Sequence, residues 1–496
     1  MPTPTLLVRS LLLSIALWIS PLTTAHTQGQ PSSSPATGDS LATEAATPDR
    51  PDFRLLRQRE DWSALAGHDD GLAALKYVPL TRTGDPFLTI GGEVRSYGRW
   101  YRHEQWGAGP ARDGYLLQRL MLHGALKTAR PHDGMHFRGF VQLKSGLVAD
   151  RDGPVYPPDK DLLGVNQAFV EMDASLGTGR LLVRIGRQEL HYGAGRMIAV
   201  REGPNVRLGF DAALGRYQRG PWRIDAFAAK PNTTASGLLD NGWMPGRTLW
   251  GLHLRRQASG GRQSLYYLGT RRRPSPTGTH LRVTRHTIGT RRGGEIGGLG
   301  YALEGAVQFG RYRRAPSSSG ASSKKPDEGA IRAGFLAGRL SHQTEAIAGA
   351  PTVGLQAGWS SGDDGQTSKL ETFAAPYPSG RVTGAGSRLG PGNLINVAPF
   401  LTLHGPAGIR LQLKSHFFWR STTTDGIYAI WGAPLRDPST DAHFIGAMPE
   451  ALLSLDAGRH LNFALEASYF STGPALHDGS SARDMIHLGL RATYVF

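Results

Sequence analysis

The chain contains no cysteine. Disulfides, thiolate metal sites and thiol nucleophiles are thereby excluded, and the composition suits an oxidising compartment where stray thiols are a liability. Apolar residues are scarce, 39% of 496, which is low for soluble domains built round buried cores. Beyond residue 25 no run of 18 apolar residues occurs, which argues against helical membrane spans. The histidines show no metal-ligand spacing, and no nucleophile, base and orienting acid stand out together. Neither a catalytic site nor a cofactor is expected.

What is present is glycine, 65 residues, and a net charge of +16. Glycine-rich, weakly hydrophobic sequence suits a large membrane barrel, in which only every second strand residue must be apolar. Arginine greatly outnumbers lysine in the central third. Guanidinium pairs bidentately with carboxylate and phosphate, so the excess points to nucleic acid, acidic polysaccharide, lipid phosphate or small anions. The N-terminus narrows that choice. Arg9 precedes an apolar stretch of signal-peptide length (Leu11, Leu12, Leu13, Ile15, Ala16, Leu17, Trp18, Ile19), and Thr23-Thr24-Ala25 offers a cleavage site. The expected product is exported, without nucleic acid as a partner. The expected division is a signal peptide over 1–25, a disordered linker over 26–52, a periplasmic N-terminal segment over 53–86, and a barrel over 87–496.

From Phe87 the hydrophobic period switches to two. Glu93, Arg95, Tyr97 and Arg99 alternate with Val94, Ser96, Gly98 and Trp100. Arg119 and His123 oppose Leu120 and Leu122, and Arg138, Gln142 and Lys144 oppose Phe137, Val141 and Leu143. The same pattern recurs at 167–174, 222–226, 301–309, 409–420, 461–469 and 486–496. Each is a strand with one apolar and one charged face. Soluble sandwiches alternate too. Segments of about ten residues, however, match a tilted bilayer-crossing strand, and aromatic residues at their ends match interfacial girdles. The chain ends on the aromatic residue Phe496, which resembles the terminal signal read by barrel-assembly machinery. The 410 residues from Phe87 to Phe496, shared among 16 or 18 strands, allow about 26 or 23 residues per strand and connection. The expected fold is all-β: a single large antiparallel transmembrane β-barrel of about 18 strands with long loops at 150–161, 231–246, 315–329 and 360–394. The last is long enough to fold into the pore.

Several stretches resemble the alginate export family of outer-membrane β-barrels: LRQREDWSAL (Leu56 to Leu65), LKYVPL (Leu75 to Leu80), GGEVR (Gly91 to Arg95), GRQELHYGAGRMIAVREGPNVRLGFD (Gly186 to Asp211), WSSGDDG (Trp359 to Gly365), HFFWRSTTTDGIY (His416 to Tyr428) and SYFSTGPAL (Ser468 to Leu476). The resemblance implies an 18-stranded barrel with an arginine-lined constriction that passes uronate polysaccharide. Fold transfers better than substrate.

The residues expected to line the pore are Arg95, Arg119, Arg138, Arg184, Arg187, Glu189, Arg196, Arg201, Arg207, Asp211, Arg410 and Lys414. Confined guanidinium groups compensate the stripping of water from each sugar carboxylate. Glu189, Asp211, Glu171 and Asp173 would orient them and limit the depth of any one trap. A bulge at Gly186 would turn Arg187 inward; otherwise Arg187 lies at the membrane rim. Arg271-Arg272-Arg273 and Arg291-Arg292 are expected in loops, solvated or facing lipopolysaccharide phosphate. Asp363 and Asp364 are weak metal candidates that more readily shape a turn with Gly362 and Gly365. The function these residues suggest is passive export of an anionic polysaccharide by a monomer. The alternatives are a diffusion porin for anions or oligosaccharides, an outer-membrane enzyme, and an adhesin or anchor.

Overall fold

The computed structural model describes residues 51–67, 71–128, 134–258, 260–274, 281–314, 327–477 and 482–496. The expected signal peptide and nearly all of the linker lie outside them. Eighteen strands form the wall. The first six are β1 (Phe87–Arg102), β2 (Arg112–Lys127), β3 (His136–Ala149), β4 (Asp161–Leu176), β5 (Gly179–Gln188) and β6 (Phe210–Arg219). Next come β7 (Trp222–Pro231), β8 (Arg247–Ala258), β9 (Gly261–Arg272), β10 (Leu281–Ile296), β11 (Leu299–Arg314) and β12 (Glu328–Gln343). The last six are β13 (Thr352–Ser360), β14 (Leu394–His404), β15 (Ile409–Arg420), β16 (Phe444–Ala457), β17 (Leu461–Thr472) and β18 (Met485–Val495).

Each strand pairs antiparallel with its sequence neighbours, and β18 closes on β1 from Val495 opposite Glu93 to Ile486 opposite Arg102. Closure leaves no unpaired edge, the condition for crossing lipid with strands. Connections alternate between short turns, such as 177–178 and 297–298, and longer loops, of which 189–209, 361–393 and 421–443 are the longest.

The period-two pattern sorts the side chains in the sense opposite to a soluble protein. Leu120, Leu122, Val141, Val170, Ile185, Leu252, Val307, Leu336, Leu413 and Leu465 point outward and are exposed. Arg95, Arg119, Gln142, Arg184, Asp225, Gln308, His416 and His487 point inward and are buried. Leucine and valine exposed in a continuous band on every side are stable only against hydrocarbon. Among the described residues no helix is long and apolar enough to cross a membrane.

The apolar core lies inside the barrel. One cluster gathers Leu190, Met197 and Ile198 from loop 189–209, Phe373 and Tyr377 from loop 361–393, and the lumenal Phe210, Phe227 and Phe335. A second gathers Tyr97, Tyr115, Phe418 and Phe470 around Trp106 and Leu389. Aromatic lumenal patches thus hold two loops within the pore. Main-chain bonds join those loops: Tyr377 N donates to Met197 O (2.8 Å), Ala199 N to Tyr377 O (2.9 Å) and Ser379 N to Gly195 O (2.9 Å).

The N-terminal segment also reaches the lumen, where Arg57 lies 3.5 Å from Glu93 and Gln58 donates to Glu189 O (3.3 Å). Pro51 O accepts from Arg459 in the turn between β16 and β17 (2.5 Å), which anchors the segment at the short-turn end. Trp62, Leu65 and Ala73, with Phe53 and Tyr77 against them, form a small core there, and Val78–Pro79 pairs with the start of β1.

Gly186 is one of the strand positions whose geometry demands glycine. Its φ is 130°, and an added Cβ would lie 2.7 Å from Phe169 Cα and nearer still to Ala168 O. Gly186→Ala should therefore destabilise the barrel by about 1–3 kcal/mol. The change would be read as a lower temperature for loss of the compact, fast-migrating form in unheated gels; an unaltered temperature would show that the strand absorbs the methyl group.

Candidate functional site: a basic lumen crossed by two loops

β1 and β2 place Arg95 directly opposite Arg119. Two like charges facing one another across a ladder repel, so an acid must lie between them. Glu202, carried in by loop 189–209, supplies it. Arg119 and Arg207 both pair closely with Glu202, and Arg95 Nη1 donates to Glu202 O (2.8 Å) and Nη2 to Pro204 O (2.7 Å). Glu93 accepts from Arg119 Nε (2.9 Å) and lies 3.4 Å from Arg207. Glu189 accepts from Asn166 (2.9 Å) and lies 3.6 Å from Arg207. Burial alone would raise the Glu202 carboxyl, but Arg119, Arg207 and Arg95 pull it well below the usual carboxylate range. Arg95, Arg119 and Arg207 therefore face Glu93, Glu189 and Glu202, a balanced set that pins the loop.

Elsewhere the balance is unequal. Glu171 is shared by Arg138 (2.9 Å) and Arg184. Asp225 is held by Arg216 (2.9 Å) and Arg223 (2.7 Å). Glu304 faces Arg196 (3.0 Å) and Arg291 (4.0 Å). Glu466 faces Arg381 (3.1 Å) and Arg491 (3.4 Å) and accepts from Tyr97 Oη (2.6 Å). One carboxylate between two guanidinium groups orients both and leaves a unit of positive charge. Further cations rest on aromatic rings: Arg339 over Phe400 (4.2 Å), Arg99 over Tyr101 (5.0 Å), and Arg201 over Trp431 (5.7 Å) and Tyr377 (5.9 Å). Burial lowers Arg201 to about 10, which keeps it charged at neutral pH.

Of the residues expected from the sequence, Arg95, Arg119, Arg138, Arg184, Glu189, Arg196, Arg201 and Arg207 lie inside the barrel. Arg410 and Lys414 are also lumenal, 3.6 Å from Asp456 and 3.9 Å from Glu450. Arg187 and Asp211 are not. The register of β5 with both neighbours runs through Gly186 without a shift, so Arg187 keeps the outward phase of Ile185. It pairs there with Asp211 (2.8 Å), which also accepts from Trp243 Nε1 (2.5 Å). The bulge expected at Gly186 does not form, since Gly186 pairs one to one with Phe169 and Ala212.

Arg271-Arg272 and Arg291-Arg292 likewise lie in strands, not loops, and Arg291 faces the lumen. Asp363, Asp364 and Glu371 each bring a carboxylate oxygen within 4.8 Å of the others. Gly365 N donates to Asp363 (3.0 Å), Gln366 N to Asp364 (2.9 Å), and Glu371 Oε2 accepts from Thr367 (2.9 Å). These carboxylates shape a turn. The stretch Gly358-Trp359-Ser360-Ser361-Gly362 has the spacing of a nucleophile turn, a signal the sequence reading passed over. Ser360 Oγ instead accepts from Leu394 N (3.1 Å) and donates to Leu394 O (3.2 Å), tying β13 to β14. Arg99, Arg216, Arg223, Arg339, Arg381 and Arg491 also escaped selection, although strand parity was available for all but Arg381.

Residues 87–486 match the alginate export family. No curated protein sequence matches. Among solved structures, the outer membrane protein OpdK of Pseudomonas aeruginosa is similar with a TM-score of 0.52 at 11% identity, over 82% of this chain and 98% of that one. A BenF-like porin from Pseudomonas fluorescens Pf-5 gives 0.51 at 10% identity over the same shares. OpdK with vanillate gives 0.50 at 12% identity, again over those shares. These structures share the closed barrel, and the likeness is one of fold. With that barrel and a family match spanning residues 87–486, this chain belongs to the alginate export family of outer-membrane β-barrels.

Proposed function

We propose that the protein is a channel through which an anionic polysaccharide, an alginate-like polyuronate, leaves the cell by passive export. The observation that carries this reading is the repeated lumenal unit of two arginines on one acid. A polyuronate bears one carboxylate per sugar, and surplus charge repeated at Glu171, Asp225, Glu304 and Glu466 lets each carboxylate pass from one station to the next. The protein is proposed to act as a monomer. Its outward rim, where Lys230 lies 3.8 Å over Trp243 beside Arg187, would meet lipopolysaccharide phosphate. Phe496, packed beside Tyr494 at the end of the chain, would be read by barrel-assembly machinery.

A second reading is a diffusion porin for small anions. Two loops and the N-terminal segment occupy the lumen, which favours small solutes. Planar-bilayer recordings separate the two. Anion-selective conductance, with block by trigalacturonate at least about tenfold tighter than by a neutral trisaccharide, is expected for export of polyuronate. Equal weak block by both would leave the small-anion porin as the better account. A channel without anion preference would remove both readings.

A further inference from the structure

Exposed tryptophans on the strands, such as Trp222 in β7 and Trp359 in β13, take the outward phase beside exposed Ile224 and Leu355. Trp431 is also exposed, by 46%, but it belongs to loop 421–443. That loop is held from within. Ile427 lies in the lumenal cluster with Tyr97, Phe418 and Phe470. Gly390 N, in loop 361–393, donates to Tyr428 O (2.7 Å), and Leu389 bridges to Ala429. Ile427–Tyr428 pairs with Pro434–Arg436 in a small hairpin, closed by Ala429 N donating to Ala433 O (2.7 Å). Trp431 stands at the turn of that hairpin.

The group that meets it is Arg201, on loop 189–209. Its guanidinium carbon lies 5.7 Å from the centroid of Trp431 and 5.9 Å from that of Tyr377. Tyr377 is buried and tied by its main chain to Met197 and Ala199. Three loops therefore converge on one guanidinium. Arg201 keeps a φ of 59°, which residues other than glycine hold only where their surroundings impose it. Its Nε is buried without a hydrogen-bond partner among the described residues. The next residue, Glu202, is committed to Arg95, Arg119 and Arg207. A half-open indole beside such a guanidinium suits a ligand with an apolar face and a carboxylate together. A uronate pyranose has both. Its C–H face stacks on an indole, and its carboxylate takes charge-assisted bonds from guanidinium. The separation of 5.7 Å is comparable with one sugar unit. A small anion would use the guanidinium and ignore the ring.

We propose that Trp431 and Arg201 form a sugar-stacking station where the three loops meet, the indole taking the pyranose face of a uronate and the guanidinium its carboxylate. This rests on the channel reading above and adds to it the source of sugar specificity. The arginines of the wall draw in any anion, whereas Trp431 favours one built on a ring.

The test is single-channel block of the full mature chain by two anions: trigalacturonate, and tricarballylate, whose carboxylates sit on an open chain. Trp431→Ala should weaken block by trigalacturonate about tenfold, through faster dissociation, and block by tricarballylate less than about twofold. Trp431→Leu, which keeps an apolar side chain for the loop to pack against but no ring, should do the same. Trp431→Phe should retain most of the wild-type block. Trigalacturonate block equal to wild type in both ringless variants would overturn the station. Equal weakening of both blockers would overturn it too, since the ring would then serve only to support Arg201. Wild-type block that survives loss of the ring removes the station and leaves the channel reading standing. A wild-type channel blocked no better by trigalacturonate than by a neutral trisaccharide removes the polyuronate reading, and the station with it.

Discussion

Replacing Glu202 by alanine should release loop 189–209 from the wall while leaving the barrel closed. Arg95 and Arg119 stand opposite one another, and Glu202 is the acid that both they and Arg207 meet. Removing it leaves Glu93 and Glu189 to balance three buried guanidinium groups. Breaking a buried, hydrogen-bonded charge set from one side costs about 3–5 kcal/mol, several times the worth of an exposed ion pair. The loop has a cheaper alternative to remaining docked, which is to lift and let water solvate the arginines. Glu202→Ala should thus give a larger and noisier conductance and rapid proteolysis within 189–209, with normal mobility of the folded barrel in gels. Wild-type conductance together with wild-type protease resistance would show that the aromatic packing of Met197 and Ile198 holds the loop without the acid.

The second large effect concerns selectivity. Arg201 and Arg339 rest on rings, and among the described residues no carboxylate is paired with either. Arg201→Gln combined with Arg339→Gln should reduce the anion-to-cation permeability ratio by about tenfold, equal to about 1.4 kcal/mol of differential attraction. Reversal potentials across a salt gradient measure this directly. Arg95→Gln would instead disturb the docked loop, because Arg95 donates to two main-chain carbonyls of that loop. An unchanged ratio in the double variant would assign selectivity to the paired arginines. The two experiments separate arginines that fix the pore from arginines that charge it.

Much of the wall was legible from the sequence because strands alternate with a fixed period. Parity alone placed Arg95, Arg119, Arg138, Arg184, Arg410 and Lys414 on the inner face, and Phe87 as the start of the first strand. It failed at Arg187, where a change from apolar to polar neighbours was read as a change of phase. The polar stretch marks the end of the lipid band, and the ladder runs on through Gly186. Adjacent arginines at 291 and 292 suggested a loop, yet a strand of 16 residues, about 53 Å long at 3.3 Å per residue, outruns a bilayer of about 30 Å even when tilted. Charged pairs are therefore tolerated near its ends.

What no pattern carried was acid sharing. Arg196 and Glu304 lie more than a hundred residues apart and meet only because loop 189–209 turns inward. The entry of Arg57 and Gln58 into the lumen, beside Glu93 and Glu189, was equally silent, since short irregular segments carry no period that says what they face.

The main-chain bonds between Gly195, Met197 and Ala199 on one loop and Tyr377 and Ser379 on the other have a consequence for how such a channel diversifies. Backbone groups at that seam do not depend on the identity of the side chains around them. The width of the passage is thus written in the chain's path, and its affinity in the residues hung upon it. Descendants of this sequence can exchange arginines, and with them the charge of the wall, without redrawing the aperture.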